Sequence, residues 1–152
     1  MILLRFIKAA QKENPSMLFF ASPWAPPAWM KTNNHYASTA STKGFNGLPA
    51  ERSNTKDATG FKMLDGYLKA YALYFSKYIR AYEKEGVPIS VVYPQNEPFS
   101  NQVYSSCKWR PEDLAFFISD YLGPKFEEDG IKTDIYFGTA NTSVADYVRV
   151  VL

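Results

Sequence analysis

The chain has 152 residues, enough for one domain with a sizeable core, and its 46% hydrophobic and 21% charged residues are ordinary for a globular protein. The net charge is +2 and the basic residues form no block, which argues against a nucleic-acid partner. A single cysteine, Cys107, excludes an internal disulfide, and a single histidine, His35, argues against a zinc site of the usual His/Cys type.

Residues 2–13 are predicted to form a helix that ends at Asn14-Pro15, since the residue before a proline is pushed out of the α region. Its apolar residues recur at the spacing of one buried face: Leu3, Phe6, Ile7 and Ala10. Charges among these residues argue against a signal peptide, and no run approaches the ~18–20 apolar residues of a membrane span. This N-terminus resembles the middle of a helix, so we expect the chain to begin part-way through a larger protein.

The apolar run at residues 17–21 has the length of a strand, and its position after a helix predicts a parallel sheet covered on both faces. From residue 22 to about residue 61 the chain is irregular and rich in Pro, Asn, Ser, Thr and Gly. A connection of this length is more often functional than accidental. A disordered linker is the alternative for residues 40–60, whereas prolines and tryptophans favour an ordered wall at residues 22–36.

The clearest helical pattern covers residues 62–85, and Gly86 follows as the C′ residue that would end the helix. Its buried face is predicted to hold Leu68, Ala72, Phe75 and Ile79. A row of tyrosines lies alongside that face: Tyr71, Tyr74, Tyr78 and Tyr82. We interpret this row as core packing rather than as a ligand site, because buried aromatic side chains mostly contribute to packing.

Residues 87–92 are short, apolar and β-branched, and they predict a buried central strand. Pro111 starts the next helix, which should bend or break at Gly123-Pro124. A third strand at residues 133–138 and a partial helix at residues 144–152 complete the order α-β-α-β-α-β-α. This order predicts a parallel sheet with right-handed crossovers, and the pattern alone leaves open whether the sheet belongs to a barrel.

Functional loops in parallel α/β proteins lie beyond the carboxyl ends of the strands. Those ends supply tryptophans, an amide, a carboxylate and other polar groups: Ser22, Trp24, Trp29, Asn96, Glu97 and Thr139 to Asn141. Aromatic rings stack on the apolar faces of sugars and polar groups bind the hydroxyls, so this rim suits a carbohydrate. Glu97 can protonate a glycosidic oxygen if burial raises its pKa. The alternatives are a proline-anchored packed loop for the tryptophans and a plain loop carboxylate for Glu97.

A different chemistry would use Cys107 as a nucleophile and His35 as its base. No activating motif surrounds either residue, and no helix starts directly after Cys107, so we give this alternative little weight. Asn141-Thr142-Ser143 fits the N-glycosylation pattern, but a three-residue match is common by chance.

Two segments carry a more specific signal: Ser22-Pro23-Trp24-Ala25-Pro26-Pro27-Ala28-Trp29-Met30-Lys31-Thr32-Asn33 and Gln95-Asn96-Glu97-Pro98. In this order, about 70 residues apart, they resemble glycoside hydrolase family 30, the retaining glycosidases of the glucosylceramidase and β-1,6-glucanase type. The Asn-Glu-Pro segment alone is shared with many related barrel glycosidases. Cys107-Lys108-Trp109 and Pro111-Glu112 agree as well, so the resemblance covers nearly the whole chain.

The resemblance implies a (β/α)8 barrel with an attached β-sandwich, in which these strands are the third, fourth and fifth. Glu97 would be the general acid/base, Asn96 would hold the 2-hydroxyl of the sugar, and Trp24 and Trp29 would bind substrate. Ala25 stands where many members carry Ser or Thr. We expect a carbohydrate or glycolipid substrate and no metal or cofactor. Members of the family are usually secreted, periplasmic or lysosomal.

Retention needs a second carboxylate ~5–5.5 Å from the first as the nucleophile, which the resemblance places after the seventh strand, beyond Leu152. Asp134 opens the third strand at the wrong end, and the other acids lie at helix ends: Glu112, Asp113, Glu127, Glu128 and Asp129. A full barrel needs ~250 residues, so we expect residues 1–152 to be an inactive fragment of one catalytic barrel domain. The predicted function is that of a retaining hydrolase of β-linked glucosides, and the alternative is a non-catalytic sugar-binding remnant.

Overall fold

A computed structural model of the chain describes residues 2–137, 139 and 140. The elements follow one another as α1 (Ile2–Glu13), β1 (Phe19–Ala21), α2 (Asp65–Lys84), β2 (Ile89–Val92), α3 (Pro111–Phe117), α4 (Gly123–Glu128) and β3 (Asp134–Ile135). The predicted alternation of helices and strands is confirmed over this range, although each strand is shorter than its apolar run. The helix predicted at residues 144–152 and the glycosylation pattern at Asn141-Thr142-Ser143 lie outside the described residues.

The described strands form one parallel sheet in which β2 lies between β1 and β3. Phe19 pairs with Ile89, and Val92 pairs with Ile135, so the carboxyl ends of the strands share one edge of the sheet. The chain passes through α2 between the first two strands and through α3 and α4 between the last two. The predicted parallel α/β architecture is therefore confirmed.

The core lies where α2 and α3 pack on this sheet. The predicted buried face of α2 is confirmed, since Leu68, Ala72, Phe75 and Ile79 are all buried. Beside it lies an aromatic core made of Phe61, Tyr71, Trp109 and Phe117. The ring centroids of Phe61 and Trp109 are 4.8 Å apart, and those of Tyr71 and Phe117 are 5.4 Å apart. Of the tyrosine row, Tyr71 is fully buried as predicted, whereas Tyr74 is 48% exposed.

Gly86 ends α2 in the way that the sequence predicts. Its φ of +76° lies in the left-handed region, which a residue without a Cβ enters at little cost. The Gly86 N–H donates to the Glu83 carbonyl at 2.9 Å, and the Val87 N–H donates to the Tyr82 carbonyl at 2.9 Å. This pair of bonds is a Schellman motif, and it turns the chain from α2 into β2.

Of the predicted bend or break at Gly123-Pro124, the break does not occur, because a π-helical turn at Ile118–Leu122 leads directly into α4. The Gly123 N–H donates to the Ile118 carbonyl, five residues back. A proline lacks an N–H and clashes with the carbonyl four residues before it in an α-helix. The wider π turn relieves this conflict, so α3 and α4 continue in sequence up to Glu128.

The burial predicted for the apolar faces of α1 and β1 is wrong in part: Ile7, Ala10 and Phe19 are partly buried, whereas other side chains of these faces are exposed. The largest exposed side chains there are Leu3, Phe6, Leu18 and Phe20. β1 is paired on one side only in the described sheet, so no neighbouring strand covers its outer edge. α1 is held by polar contacts, including one from the Gln11 amide to the Gly86 carbonyl at 3.1 Å.

The long connection between β1 and α2 is hydrogen-bonded into the molecule, which contradicts the disordered alternative for residues 40–60. The Asn46 amide donates to the carbonyls of Thr39 and Val103, each at 2.8 Å. The Gly60 N–H donates to the Lys108 carbonyl at 2.7 Å. This connection therefore packs against the loop that follows β2. Within the described residues no helix has both the length and the apolar character needed to cross a membrane.

Candidate active site

Three segments meet just past the carboxyl ends of the strands. The Tyr93 N–H donates to the Ala21 carbonyl at 2.8 Å, and the Asn96 N–H donates to the Pro23 carbonyl at 2.9 Å. On the other side, Asn96 and Thr139 form an isolated parallel bridge. The chain segments after β1, β2 and β3 thus stay paired beyond the regular sheet. We call this shared edge the rim, made of residues 22–24, 93–97 and 139.

Glu97 holds the most unusual backbone position in the rim. Its φ is +46°, in a left-handed region that residues with a Cβ seldom occupy. The Glu97 N–H donates to the Thr139 carbonyl at 3.0 Å, and the Glu97 carbonyl accepts from the Ser100 N–H at 2.9 Å. Such a conformation costs of order 1–3 kcal/mol and persists only where its surroundings hold it, which is common at functional sites.

The side chain of Glu97 is partly buried. Among the described residues, no lysine, arginine or histidine forms an ion pair with its carboxylate. A catalytic acid has to lie within hydrogen-bond reach of the atom that it protonates, and an ion pair to a neighbouring cation would compete with that contact.

Asn96 and Trp24 are joined through Gln95, which is fully buried. The Gln95 amide nitrogen donates to the Trp24 carbonyl at 2.9 Å and to the Asn96 carbonyl at 2.8 Å. The Asn96 side chain is partly buried, and its Oδ1 accepts from the Thr139 hydroxyl at 2.8 Å. The sequence motif includes Gln95, but its role as the link between two segments of the rim is visible only in the structure.

Trp24 is 53% exposed and lies beside an aromatic residue that the sequence analysis missed. Its ring centroid is 5.8 Å from that of Tyr104, with the planes tilted by 54°. Tyr104 follows Glu97 in the same loop and is 44% exposed. An aromatic residue in an irregular stretch just after a candidate acid is a signal that could have identified it.

The two other residues predicted for this edge have different neighbours. Trp29 lies in a 3₁₀ turn, and its ring centroid is 5.8 Å from that of Tyr67 in the first turn of α2. Ser22 lines a pocket of about 200 Å³ together with Tyr74 and Tyr78, on the α2 side of the chain. The described ring contacts therefore bring Trp24, but not Trp29, next to the loop that carries Glu97. Of the third segment, Asn141 lies outside the described residues.

Lys31 holds two of the loops together from the inside. The side chain is fully buried, and its Nζ donates to the carbonyls of Tyr36 at 2.9 Å, Ala37 at 3.0 Å and Ser106 at 2.5 Å. Burial lowers the pKa of Lys31 to about 8, while the nearby Cys107 acts in the opposite direction. The connection after β1 is thereby fixed to the loop after β2.

The chemistry based on Cys107 and His35 does not fit this arrangement. Cys107 is completely buried, and burial raises the pKa of its thiol to about 12, which suppresses the reactive thiolate. The Nδ1 atom of His35 accepts from the Ala37 N–H at 3.1 Å and serves the local turn. In the part of the chain that the structure describes, no group of three His, Cys, Asp or Glu side chains is placed to hold a metal.

The remaining carboxylates with resolved partners lie at helix ends, as expected. Asp113 pairs with Arg110 at 2.8 Å, and this hydrogen bond lowers the pKa of the carboxyl. Asp129 pairs with Lys125 at 3.0 Å, and Asp134 is the first residue of β3, at the opposite edge from the rim. None of the three provides a second carboxylate beside Glu97.

Comparisons with known proteins agree on one family. The family model described as the glycosyl hydrolase family 30 TIM-barrel domain matches residues 2–152. An endo-1,6-β-D-glucanase of Aspergillus fumigatus is 30% identical over 151 residues, which cover 99% of this chain and 30% of that protein. The lysosomal acid glucosylceramidase of Mus musculus is 31% identical over 121 residues, covering 77% of this chain and 20% of that protein.

Solved structures show the same relationship in three dimensions. An endo-β1,6-glucanase superposes with a TM-score of 0.67 at 30% identity, covering 89% of this chain and 27% of that one. The protein SrfJ from Salmonella typhimurium superposes with a TM-score of 0.70 at 27% identity, covering 89% of this chain and 26% of that one. The chain thus spans less than a third of the length of each of these relatives.

Proposed function

The chain belongs to glycosyl hydrolase family 30, and from this premise we propose that it carries the acid/base half of the active site of a retaining glycosidase acting on β-linked glucosides. Its parallel strands and helices are part of a (β/α)8 barrel. We assign residues 1–152 to one catalytic domain of that kind. In such barrels the reactive groups lie at the carboxyl ends of the strands, which is where the rim lies.

The observation that carries the proposal is the position of Glu97. It follows β2 at the rim on a left-handed backbone that Thr139 and Ser100 hold at both sides. In the proposed first step, the Glu97 carboxyl proton passes to the glycosidic oxygen as the bond from that oxygen to the anomeric carbon breaks. In the second step, the Glu97 carboxylate takes a proton from the water that attacks the anomeric carbon, as the bond from that carbon to the nucleophilic carboxylate breaks.

Substrate binding is proposed for the groups around this carboxyl. Asn96 would hydrogen-bond the 2-hydroxyl of the sugar, and Trp24 would pack on the apolar face of the ring. We add Tyr104, because its exposed ring extends the aromatic surface of Trp24. Trp29 remains a proposed substrate contact, at the part of the surface shared with Tyr67.

A retaining mechanism needs a nucleophilic carboxylate ~5–5.5 Å from the acid, which forms a bond to the anomeric carbon in the first step. We assign this role to a residue outside the 152 residues, because the helix-end acids and Asp134 are placed elsewhere. On this proposal the isolated chain is inactive. The exposed apolar faces of α1 and β1 would be covered by the remainder of the barrel.

The names of the relatives suggest two substrates for testing, a β-1,6-glucan and a glucosylceramide-like lipid. The endo-1,6-β-D-glucanase of Aspergillus fumigatus aligns with 99% of this chain, whereas the glucosylceramidase of Mus musculus aligns with 77%. We therefore place the glucan first. Both substrates present a β-linked glucose to the same acid, so the Glu97→Gln variant can be tested on either.

The test is Glu97→Gln in the protein that contains this chain. For β-glucosides with a poor alkyl leaving group, we expect kcat/KM to fall by roughly 10²–10⁴, since departure needs the proton. Activated dinitrophenyl glucosides leave without that proton, so their glycosylation step should change far less.

Asp134→Asn is the matched control, since it removes a carboxylate at the opposite edge of the sheet. It should change neither rate. Equal losses on both substrates in Glu97→Gln would contradict the acid role. A wild-type protein that binds these glucosides without hydrolysing them would support the sugar-binding remnant instead.

A further inference from the structure

Thr139 contacts both candidate residues of the rim. Its carbonyl accepts from the Glu97 N–H at 3.0 Å, and its hydroxyl donates to Asn96 Oδ1 at 2.8 Å. The Glu97 N–H also points to the Thr139 hydroxyl oxygen, at 3.4 Å. The first contact uses only the backbone of Thr139, and the second uses only its side chain. A mutation can therefore remove the hydroxyl, with its short bond to Asn96 and its longer contact to the Glu97 N–H, while the bond from the Glu97 N–H to the Thr139 carbonyl stays.

The hydrogen-bond network assigns the orientation of the Asn96 amide. A threonine hydroxyl has one proton to donate and can accept from other groups. Because the Glu97 N–H already points at this oxygen, the hydroxyl proton is directed to Asn96. In the reverse orientation, the Asn96 NH₂ group and the Glu97 N–H would both donate to this oxygen, and the hydroxyl proton would need a different acceptor.

We propose that Thr139 is a positioning residue, whose hydroxyl fixes the Asn96 amide so that its NH₂ group donates to a sugar oxygen beside Glu97. This inference rests on the proposed function and deepens it. With Oδ1 held on the side of Thr139, the NH₂ group is the part of the Asn96 amide that would face the sugar. The site then selects a sugar with a hydrogen-bond acceptor on the carbon next to the anomeric centre, and it disfavours a protonated amine at that carbon.

The experiment compares Thr139→Val with Thr139→Ser in the protein that contains this chain. Valine keeps the branched shape and the backbone bond to Glu97, but it removes the hydroxyl. Serine keeps the hydroxyl. Thr133→Val is the matched control, because Thr133 lies near the other end of β3 and its hydroxyl donates to the Ile89 carbonyl at 2.8 Å.

The quantity to measure is kcat/KM for an aryl β-glucoside and for its 2-deoxy analogue. Thr139→Val should lower the value about tenfold for the glucoside, as expected for the loss of one oriented hydrogen bond, and less than twofold for the 2-deoxy analogue. Thr139→Ser should restore most of the loss, and Thr133→Val should leave both values near those of the wild type. Equal losses on both substrates, or no rescue by serine, would overturn the positioning role.

A binding measurement separates this inference from the proposed reaction. Calorimetry with glucose-configured iminosugars, with and without the hydroxyl next to the anomeric position, needs no turnover. If Thr139→Val weakens only the binding of the hydroxylated ligand, the positioning role stands even when no glucoside is hydrolysed. If both ligands bind equally well to the wild type and to Thr139→Val, the positioning role is wrong, whatever the rate on glucosides. Failure of the wild type to bind either ligand also overturns it.

Discussion

The aromatic core and the rim use the same residue types in opposite ways. Trp109 is fully buried in the core and packs against Phe61 at 4.8 Å. Trp24 is 53% exposed at the rim, where its described ring neighbour is Tyr104, which is 44% exposed. The core is held by side-chain packing, whereas the rim is held by hydrogen bonds between main-chain groups and through Gln95.

This difference indicates what each region contributes. Burying a large aromatic side chain provides several kcal/mol of stability, so the core maintains the fold. An aromatic ring left in solvent provides little of this, and main-chain bonds hold it in place whatever its side chain does. The exposed side chains of the rim can therefore change with little effect on stability, whereas the buried Gln95 cannot. We expect mutations in the core to change unfolding and mutations in the rim to change ligand binding.

The largest expected effect is in the core. Trp109→Ala should lower the free energy of unfolding by about 3–5 kcal/mol, the usual cost of removing a buried Trp or Phe side chain. Urea denaturation of the protein that contains this chain measures the loss. A loss below about 1 kcal/mol would show that the aromatic core does not maintain the fold. The backbone N–H of Trp109 donates to the Pro98 carbonyl at 2.8 Å, so any backbone shift at residue 109 should also move the loop of Glu97.

The next effect lies at the boundary between the two regions, at Lys31. Its backbone pairs with that of Phe61 in the aromatic core, and its Nζ donates to carbonyls of the connection after β1 and of the loop after β2. Burial lowers its pKa from 10.5 to about 8 in the folded state. Between these two values the unfolded chain binds the proton more tightly, so stability rises with pH across this window.

Lys31→Met should remove this rise. Relative to the variant, the wild type should gain up to about 3 kcal/mol of unfolding free energy between pH 8 and pH 10.5. Urea denaturation at several pH values measures the gain, with Lys43→Met, at an exposed lysine of the same connection, as the matched control. Parallel curves for the wild type and Lys31→Met would show that the buried amine does not titrate in this range.

The sequence predicts the core better than the rim, for a physical reason. The helical spacing of Leu68, Ala72, Phe75 and Ile79 reports burial directly, and all four are buried. The sequence pattern also predicts that Phe6 and Phe20 are buried, but both side chains are exposed. A local pattern shows which face of an element is apolar, but it does not show whether another element packs against that face.

In the rim, the sequence identifies Asn96 and Glu97 because they are adjacent in one motif. The contacts that hold this motif come from Thr139, more than 40 residues later, and from Trp24, about 70 residues earlier, which contacts the neighbouring Gln95. Such contacts depend on strand register, which short apolar runs do not specify. The π turn before Pro124 was not predicted either. A proline in the sequence shows that a regular α-helical hydrogen bond is missing, but it does not show whether the helix ends, bends or widens there.

The smallest expected effect on stability is at Trp24, where we expect ligand binding to change instead. Trp24→Ala should change the free energy of unfolding by no more than about 0.5 kcal/mol, as for other exposed sites. It should raise KM for the glucoside about tenfold, since one face of the sugar loses its aromatic contact, and Tyr104→Ala should do the same to a smaller extent. Steady-state kinetics with urea denaturation of the same variants measures both quantities.

Trp29→Ala is the informative partner of that variant. Trp29 is as exposed as Trp24, at 55%, but its described ring neighbour is Tyr67 of α2. If Trp29→Ala leaves KM unchanged while Trp24→Ala raises it, the substrate surface follows the loop of Glu97 and excludes the start of α2. If both raise KM equally, the two tryptophans form one binding surface, as the sequence suggests. An unchanged KM for Trp24→Ala would show that Trp24 is not part of the site. The aromatic residues of the rim would then differ from those of the core in exposure but not in function.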